Sequence, residues 1–220
     1  MATRILIITG DGGECYETLY AVHRLREAGY QPQIAAPSRK RLHLVIHDFE
    51  PGWDTYVERP GYQLESDLAF DDVSVDDYDA VLVLGGRAPE YLRHDRRVLG
   101  IVRAFHERGK WVFGICHGVQ VLVRAGLAAG ARVTAYEHCR TNVELGGGEY
   151  VADQQAVRHG RMVTAQTWQS HPEFYREVMA CLGEPGPDLA STPASTLAST
   201  LASTLVAPAA APHATPAAAR

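Results

Sequence analysis

The feature that most constrains the fold is the segment Gly114–Gly118, which reads Gly-Ile-Cys-His-Gly. The apolar run Trp111–Phe113 before it predicts a buried strand, and Val119–Val123 after it predicts the start of a helix. This is the G-x-S-x-G nucleophile-elbow pattern with cysteine in place of serine, in which glycines allow the sharp turn. The helix amino end favours a thiolate at the sulfur. We therefore predict that Cys116 is a nucleophile; a buried, unreactive thiol is the alternative.

Composition limits the partners and the compartment. A chain of 220 residues with a formal net charge of -5 and a pI near 6.0 suits one domain with an appendage, and it offers no attraction to nucleic acid or acidic membranes. Its four cysteines lack C-x-x-C spacing, so we expect no disulfide framework, metal or cofactor. The first apolar run, Ile5–Thr9, is too short for a signal segment, and none approaches the roughly 18 residues of a membrane span. We expect a soluble cytoplasmic protein.

Buried strands alternate with amphipathic helices along most of the chain. The predicted strands are Ile5–Thr9, Gln33–Ala36, Ala80–Leu84, the strand before Gly114, and Arg161–Ala165. Residues 38–65 and 131–150 are predicted to form short strands or hairpin arms. This order predicts an α/β fold whose parallel sheet is covered on both faces. At the carboxyl edge of such a sheet we expect Cys116 to meet the Gly12-Gly13 and Gly85-Gly86 turns.

The carboxyl-terminal residues differ in character from the rest. Residues 190–205 repeat a tetrad, Ala-Ser-Thr-Pro once and Ala-Ser-Thr-Leu three times, and Pro- and Ala-rich sequence follows. A leucine stripe this narrow buries too little apolar surface to offset the entropy of ordering. We predict a catalytic domain over residues 1–183 and a disordered tail over residues 184–220.

Three features together resemble the PfpI intracellular-protease family: the elbow, the acidic residue in the first turn, and Gly85–Glu90 (Gly-Gly-Arg-Ala-Pro-Glu) after a buried strand. That family shares a superfamily with the parkinsonism-associated deglycase and the class I glutamine amidotransferases. The resemblance covers about residues 3–183 and implies a flavodoxin-like three-layer α/β/α sandwich. It implies a cysteine-dependent hydrolase or lyase of the peptidase, glyoxalase, deglycase or hydratase type, acting on a small carbonyl compound or a peptide.

The resemblance also implies roles for individual residues. Cys116 would be the nucleophile, His117 its general base, and the backbone N–H of Gly86 an oxyanion donor. Glu90 would orient the histidine from the adjoining subunit, which implies a homo-oligomer with the site near its interface. Glu14 would hydrogen-bond the sulfur. Thiolates need such donors and imidazolium ions need carboxylates, so the set is chemically coherent. A non-enzymatic alternative is a redox-sensing stress chaperone, with Cys116 oxidised to a sulfinic acid held by Glu14.

A second triad remains open at the end of the last strand. His171 and Glu173 resemble the catalytic histidine and glutamate of class I glutamine amidotransferases, and with Cys116 they would form a glutaminase-like site. Ser170 and Glu173 would also form a helix capping box, which is a purely structural interpretation. Trp168 beside them would shape the pocket wall.

Overall fold

A seven-stranded sheet forms the centre of the computed structural model, which describes residues 3–183. The strands in chain order are β1 (Arg4–Ile8), β2 (Gln31–Ala36), β3 (Arg41–Asp48), β4 (Val57–Glu65), β5 (Leu68–Ala69), β6 (Ala80–Val83), β7 (Trp111–Ile115), β8 (Arg132–Val133), β9 (Glu149–Tyr150), β10 (Ala156–His159) and β11 (Met162–Ala165). The helices are α1 (Cys15–Glu27), α2 (Ala88–Leu92), α3 (Arg96–Glu107), α4 (Val119–Arg124), α5 (Arg140–Leu145) and α6 (His171–Gly183).

The sheet has the strand order β10-β11-β7-β6-β1-β2-β5. Its neighbouring strands are parallel, apart from the edge pair β10 and β11, which is antiparallel. Every residue of β6 and β7 is buried, because both faces of the sheet are covered. The prediction of an α/β fold with a mostly parallel, flavodoxin-like sheet is therefore confirmed. Within residues 3–183 no helix is both long and apolar enough to cross a bilayer.

Two smaller pairs of strands lie outside the central sheet. The strands β3 and β4 form an antiparallel hairpin, as predicted for residues 38–65. Of the two alternatives predicted for residues 131–150, the short strands are present and the hairpin arms are not, since β8 and β9 pair in parallel with helix α5 between them. Gly147 has a φ of 80° in the turn that ends α5, so this glycine run stops a helix. The predicted disordered tail lies outside the described residues.

The turns after β1, β6 and β7 meet at the carboxyl edge of the sheet, as predicted. Gly13 and Gly86 form an isolated antiparallel bridge between two of these turns. Gly86 has a φ of 76°, and a Cβ atom on it would lie 2.3 Å from both the Glu14 nitrogen and the Gly12 oxygen. Only glycine fits this close approach. The third turn carries Cys116, and ligands bind at this edge in parallel α/β sheets.

Candidate active site

The turn from β7 into α4 is built around a strained Cys116. Its φ of 56° makes it the one non-glycine residue with a positive φ among residues 3–183. Glycines on either side permit the turn: a Cβ atom on Gly114 would lie 2.6 Å from Leu122 Cδ1, and one on Gly118 would lie 2.4 Å from the Val83 oxygen. Strain of this kind costs about 1–3 kcal/mol and persists where the surroundings enforce it. The elbow predicted from the sequence is present.

The sulfur of Cys116 is close to the imidazole of the next residue. Cys116 Sγ lies 3.3 Å from His117 Nδ1, and Cys116 is only 5% exposed. Backbone N–H groups of His117 and Gly86 also donate toward the sulfur. The sequence-predicted residues Cys116, His117 and Gly86 are therefore brought together within one protomer.

The acidic residue beside the sulfur is Glu17, whereas the sequence predicts Glu14 there. A Cβ atom on Gly85 would lie 2.9 Å from Glu17 Oε2 and 3.0 Å from Cys116 Sγ, so both groups face the same backbone position. Glu14 instead begins α1, where its Oε2 accepts a 2.6 Å hydrogen bond from the Glu17 N–H. The acid that faces the elbow is therefore three positions later than predicted: Glu14 caps α1, and Glu17 points at the elbow.

Burial controls the protonation of the acid and the thiol. It raises the pKa of Glu17 well above the usual range, and the negative charge of Glu14 raises it further. Burial also raises the pKa of the Cys116 thiol, with a second contribution from the charge of Glu17, while the N–H groups of His117 and Gly86 oppose the rise. The raised pKa of Glu17 favours its neutral form, which can donate a hydrogen bond to the sulfur when the thiol ionises.

Aromatic side chains enclose His117. The centroid of its ring lies 5.0 Å from that of Tyr136, 5.6 Å from that of Tyr56 and 6.3 Å from that of His47. Burial, together with the positive charges of His47, His138 and Arg93, lowers the pKa of His117 to about 4. At neutral pH the imidazole is uncharged and can accept a proton from the thiol.

Glu90 is exposed on α2 and makes no ion pair within the described part of the chain. Its negative charge nevertheless contributes to raised pKa values at Tyr56 and Arg87, after the larger effects of burial and of Glu58 respectively. The carboxylate therefore lies on the same side of the molecule as the ring cluster around His117. A single protomer does not join Glu90 to His117, and the predicted contact through a second subunit stays a prediction.

The histidine of the second triad packs among the aromatic rings of Tyr16, Tyr20 and Tyr175. His171 is buried and stacks on Tyr20 with the ring centroids 4.6 Å apart, and its two nitrogens have no hydrogen-bond partner among residues 3–183. Burial lowers its pKa to about 4. Glu173 is half-buried in the first turn of α6 and does not bond to this ring. The imidazole next to Cys116 is that of His117.

Trp168 lines a largely apolar cleft of about 340 Å³, and its predicted place in the wall of the catalytic pocket stays a prediction. Its indole Nε1 donates a 2.9 Å hydrogen bond to the backbone oxygen of His47, which ties the end of the sheet to the β3–β4 hairpin. The other residues of the cleft are Glu14, Cys15, Tyr16, Leu19, Ile46, Asp48 and Tyr62. Cys116 is not among them, so this cleft adjoins α1 without reaching the sulfur itself.

The comparison that decides the family is a match to the model of the DJ-1/PfpI family over residues 3–181. The chain belongs to this family. Protein DJ-1 homolog D of Arabidopsis thaliana is 41% identical over 186 residues, which are 82% of this chain and 48% of that protein. The chain thus spans about half the length of this plant relative. Deglycase PfpI of Pyrococcus furiosus is 34% identical over 163 residues, which are 74% of this chain and 89% of that protein.

Solved structures share the fold of this DJ-1/PfpI family member. Drosophila melanogaster DJ-1beta superposes with a TM-score of 0.71 at 21% identity, covering 94% of this chain and all of that one. A ThiJ/PfpI domain protein from Brachyspira murdochii gives a TM-score of 0.70 at 22% identity, with 83% of this chain and 98% of that one covered. These similarities concern the backbone fold.

Sequence reasoning missed several side chains of the site in this family member. Glu17 could have been found from its spacing, because it is the second acid in the first turn of a helix that begins at the Gly-rich turn. The sequence marks Tyr56 only as one of three aromatics, with Trp53 and Tyr62, that could overhang a pocket or make a subunit contact, and Tyr136 carries no comparable signal. Tyr56 and Tyr136 reach His117 from the end of the β3–β4 hairpin and from the segment after β8, and local sequence patterns do not encode such long-range contacts.

Proposed function

We propose that this DJ-1/PfpI family member is a cysteine-dependent hydrolase or lyase that acts on small carbonyl compounds, with Cys116 as the nucleophile. The observation that carries the proposal is the 3.3 Å separation between Cys116 Sγ and His117 Nδ1 at a strained elbow. The relative from Pyrococcus furiosus is named a deglycase, which supports chemistry at a carbonyl carbon. The 5% exposure of Cys116 favours small electrophiles over folded protein substrates.

In the proposed reaction His117 Nδ1 accepts the thiol proton while Cys116 Sγ bonds to the carbonyl carbon. The carbonyl electron pair moves to the oxygen, which accepts a hydrogen bond from the backbone N–H of Gly86. The imidazolium then returns its proton, either to this oxygen or to the group that leaves when the carbon–heteroatom bond breaks. A substrate without a leaving group, such as methylglyoxal, forms a thioester only after the C–H proton of the hemithioacetal moves through an enediol to the neighbouring carbonyl carbon. Water then hydrolyses the thioester and restores the thiol. Glu17, as a neutral acid, donates to the sulfur whenever it carries negative charge.

Assembly is proposed to complete this site. In one protomer the thiol has a raised pKa and the imidazole a pKa of about 4, so the resting pair is uncharged. A carboxylate near His117 would favour the imidazolium and assist proton transfer from the thiol. Glu90 of the partner subunit is the proposed source of that carboxylate. We expect activity per protomer to fall when the protein is diluted below the concentration at which it assembles.

The proposal is tested by a substrate screen with methylglyoxal, glutamine, an isonitrile and peptides. We expect turnover of the carbonyl compound by the wild type and a loss of about 10³-fold or more in Cys116→Ala and Cys116→Ser. Cys181→Ala, which removes a buried thiol from α6, is the matched control and should keep full activity. Persistent turnover in Cys116→Ala would refute the proposal. Glutamine hydrolysis that depends on His171 would favour the second triad instead.

A mixing experiment tests the role of Glu90. Glu90→Gln and Cys116→Ala are each expected to be inactive alone. In mixed oligomers, the Cys116→Ala subunit would offer its Glu90 to the intact Cys116 of the Glu90→Gln subunit, so part of the activity should return. Analytical ultracentrifugation checks that both variants assemble. If the mixture stays inactive although mixed oligomers form, Glu90 does not act across the interface.

A further inference from the structure

A second cleft of about 380 Å³ lies where the end of α2 meets α4 and α5. We call it the basic cleft, because three of its lining side chains are basic. The lining residues are Arg93, His94, Gln120, Val123, Arg124, Asn142, Leu145 and Gly146. None of them is acidic, and the amides of Gln120 and Asn142 add uncharged donors and acceptors.

The arginines of the basic cleft lack the ion pairs that eight of the sixteen other arginines within residues 3–183 form. Among residues 3–183, neither Arg93 nor Arg124 forms an ion pair. Eight others do, and Arg97, for example, binds both Asp95 and Asp71. The other seven are Arg24, Arg41, Arg59, Arg87, Arg108, Arg132 and Arg140. Guanidinium groups that share a concave site without acidic partners attract anions.

The guanidinium of Arg93 is held in place with donor capacity to spare. Its Nη1 donates a 2.9 Å hydrogen bond to Gln120 Oε1, while its Nε is buried and has no partner among the described residues. Gln120 is itself fixed, since its Nε2 donates to Cys139 Sγ at 3.3 Å. The shielded Nε is out of reach of a ligand oxygen, so an oxyanion in the cleft would bind at the Nη groups of the guanidinium.

We propose that the basic cleft binds a small molecule through a phosphate or carboxylate group, held by Arg93 and Arg124 with His94 and Asn142 at its sides. Phosphate and carboxylate share the oxygen geometry that a guanidinium fork recognises, so the two probes must be compared directly. The volume exceeds that of a bare anion and leaves room for the organic part of a ligand. The basic cleft adjoins the candidate active site, because Gln120 in its lining lies in α4, four residues after Cys116.

Titration of the full chain with inorganic phosphate, and separately with acetate, tests the proposal. We expect saturable shifts of the Arg93 Nε–H and Gly146 amide NMR signals, with phosphate the tighter probe because it has more acceptor oxygens. Arg124→Gln should weaken binding by about tenfold, the effect of one charge-assisted hydrogen bond. Arg93→Lys, which keeps the charge but loses the fork, should also weaken it. Arg26→Gln, an exposed arginine on α1 outside the cleft, is the matched control.

The titration decides whether the basic cleft binds an anionic group. Saturable binding that weakens in both cleft variants and survives in Arg26→Gln supports the proposal. Absence of saturation, or equal affinity in Arg124→Gln and wild type, overturns it. If Arg124→Gln changes only the oligomeric state, the cleft receives a second copy of the chain and the proposal is wrong. Arg124 is exposed, so its replacement should leave the fold intact, and thermal unfolding checks this. The test does not require turnover, so it is independent of the proposed function.

Discussion

The carboxyl of Glu17 accepts a 2.7 Å hydrogen bond from the backbone N–H of Gly85, which lies 68 positions later in the chain. This bond joins the first turn of α1 to the turn after β6, at the point where both face Cys116. Because Glu17 is fully buried, its carboxyl has a fixed position relative to the sulfur. The same side chain therefore stabilises the fold and sets the environment of the candidate nucleophile.

Two replacements of Glu17 should have different effects on stability. Glu17→Gln keeps an oxygen that can accept from the Gly85 N–H, so we expect a small change in the free energy of unfolding. Glu17→Leu leaves that buried N–H unpaired and should cost about 1–3 kcal/mol. Urea unfolding of the two variants and wild type measures the difference. Equal stability of the Leu and Gln variants would show that the bond to Gly85 contributes nothing.

Glu17 also allows a test of the redox hypothesis. After mild peroxide treatment, mass spectrometry should find a sulfinic acid on Cys116 in wild type, since a neutral carboxyl can donate to the oxidised sulfur. We expect less of this product in Glu17→Leu, which has no donor. The buried Cys139 serves as the internal comparison. An unmodified Cys116 in wild type would eliminate the redox role.

Glu14 should make stability depend on pH. Burial raises its pKa from 4.5 to about 7, so between these values the folded chain binds more protons than the unfolded chain and stability falls as pH rises. The glutamine of the Glu14→Gln variant cannot ionise, so this variant does not lose stability as pH rises. Its advantage over wild type should grow by about 2.5 kcal/mol between about pH 5 and about pH 8. Urea unfolding at both pH values measures it, with the exposed Glu107→Gln as control; a constant difference would contradict the prediction.

His171 has the opposite pH dependence. Its pKa is lowered from 6.5 to about 4 by burial, so the folded state keeps it neutral and loses stability as pH falls below 6.5. His171→Phe retains the stacking on Tyr20 and cannot be protonated. We expect its free energy of unfolding, measured with urea, to exceed that of wild type by about 2 kcal/mol at about pH 5. Its turnover should equal that of wild type, whereas His117→Ala should lose turnover. Loss of activity in His171→Phe would instead support the triad of Cys116, His171 and Glu173.

Two Gly→Ala replacements should change stability in opposite directions. A Cβ atom on Gly118 would lie 2.4 Å from the Val83 oxygen and 2.8 Å from the Leu84 oxygen, which are backbone atoms that cannot move aside. Gly118→Ala should cost about 2–4 kcal/mol and reduce turnover by displacing the elbow. A Cβ atom on Gly100, in α3, would meet no neighbouring side chain or strand within 4 Å. Gly100→Ala should therefore stabilise the protein by about 0.5–1 kcal/mol in the same urea unfolding assay.

The sequence by itself determined the order of the main strands and helices, the elbow at Cys116 and the edge of the sheet where its turns meet. These features depend on patterns within about ten to fifteen residues: apolar runs, helical spacing and glycines at sharp turns. The neighbouring His117 was found for the same reason, because it is adjacent in the chain.

Only the tertiary structure decided which acid faces the sulfur and which rings enclose His117. Glu14 and Glu17 differ by less than one turn of α1, and the packing of that turn against Gly85 selects Glu17. The parallel pairing of β8 with β9 and the basic cleft likewise join segments far apart in the chain. Such contacts depend on how the elements close on one another, and a local sequence pattern contains no information on that closure.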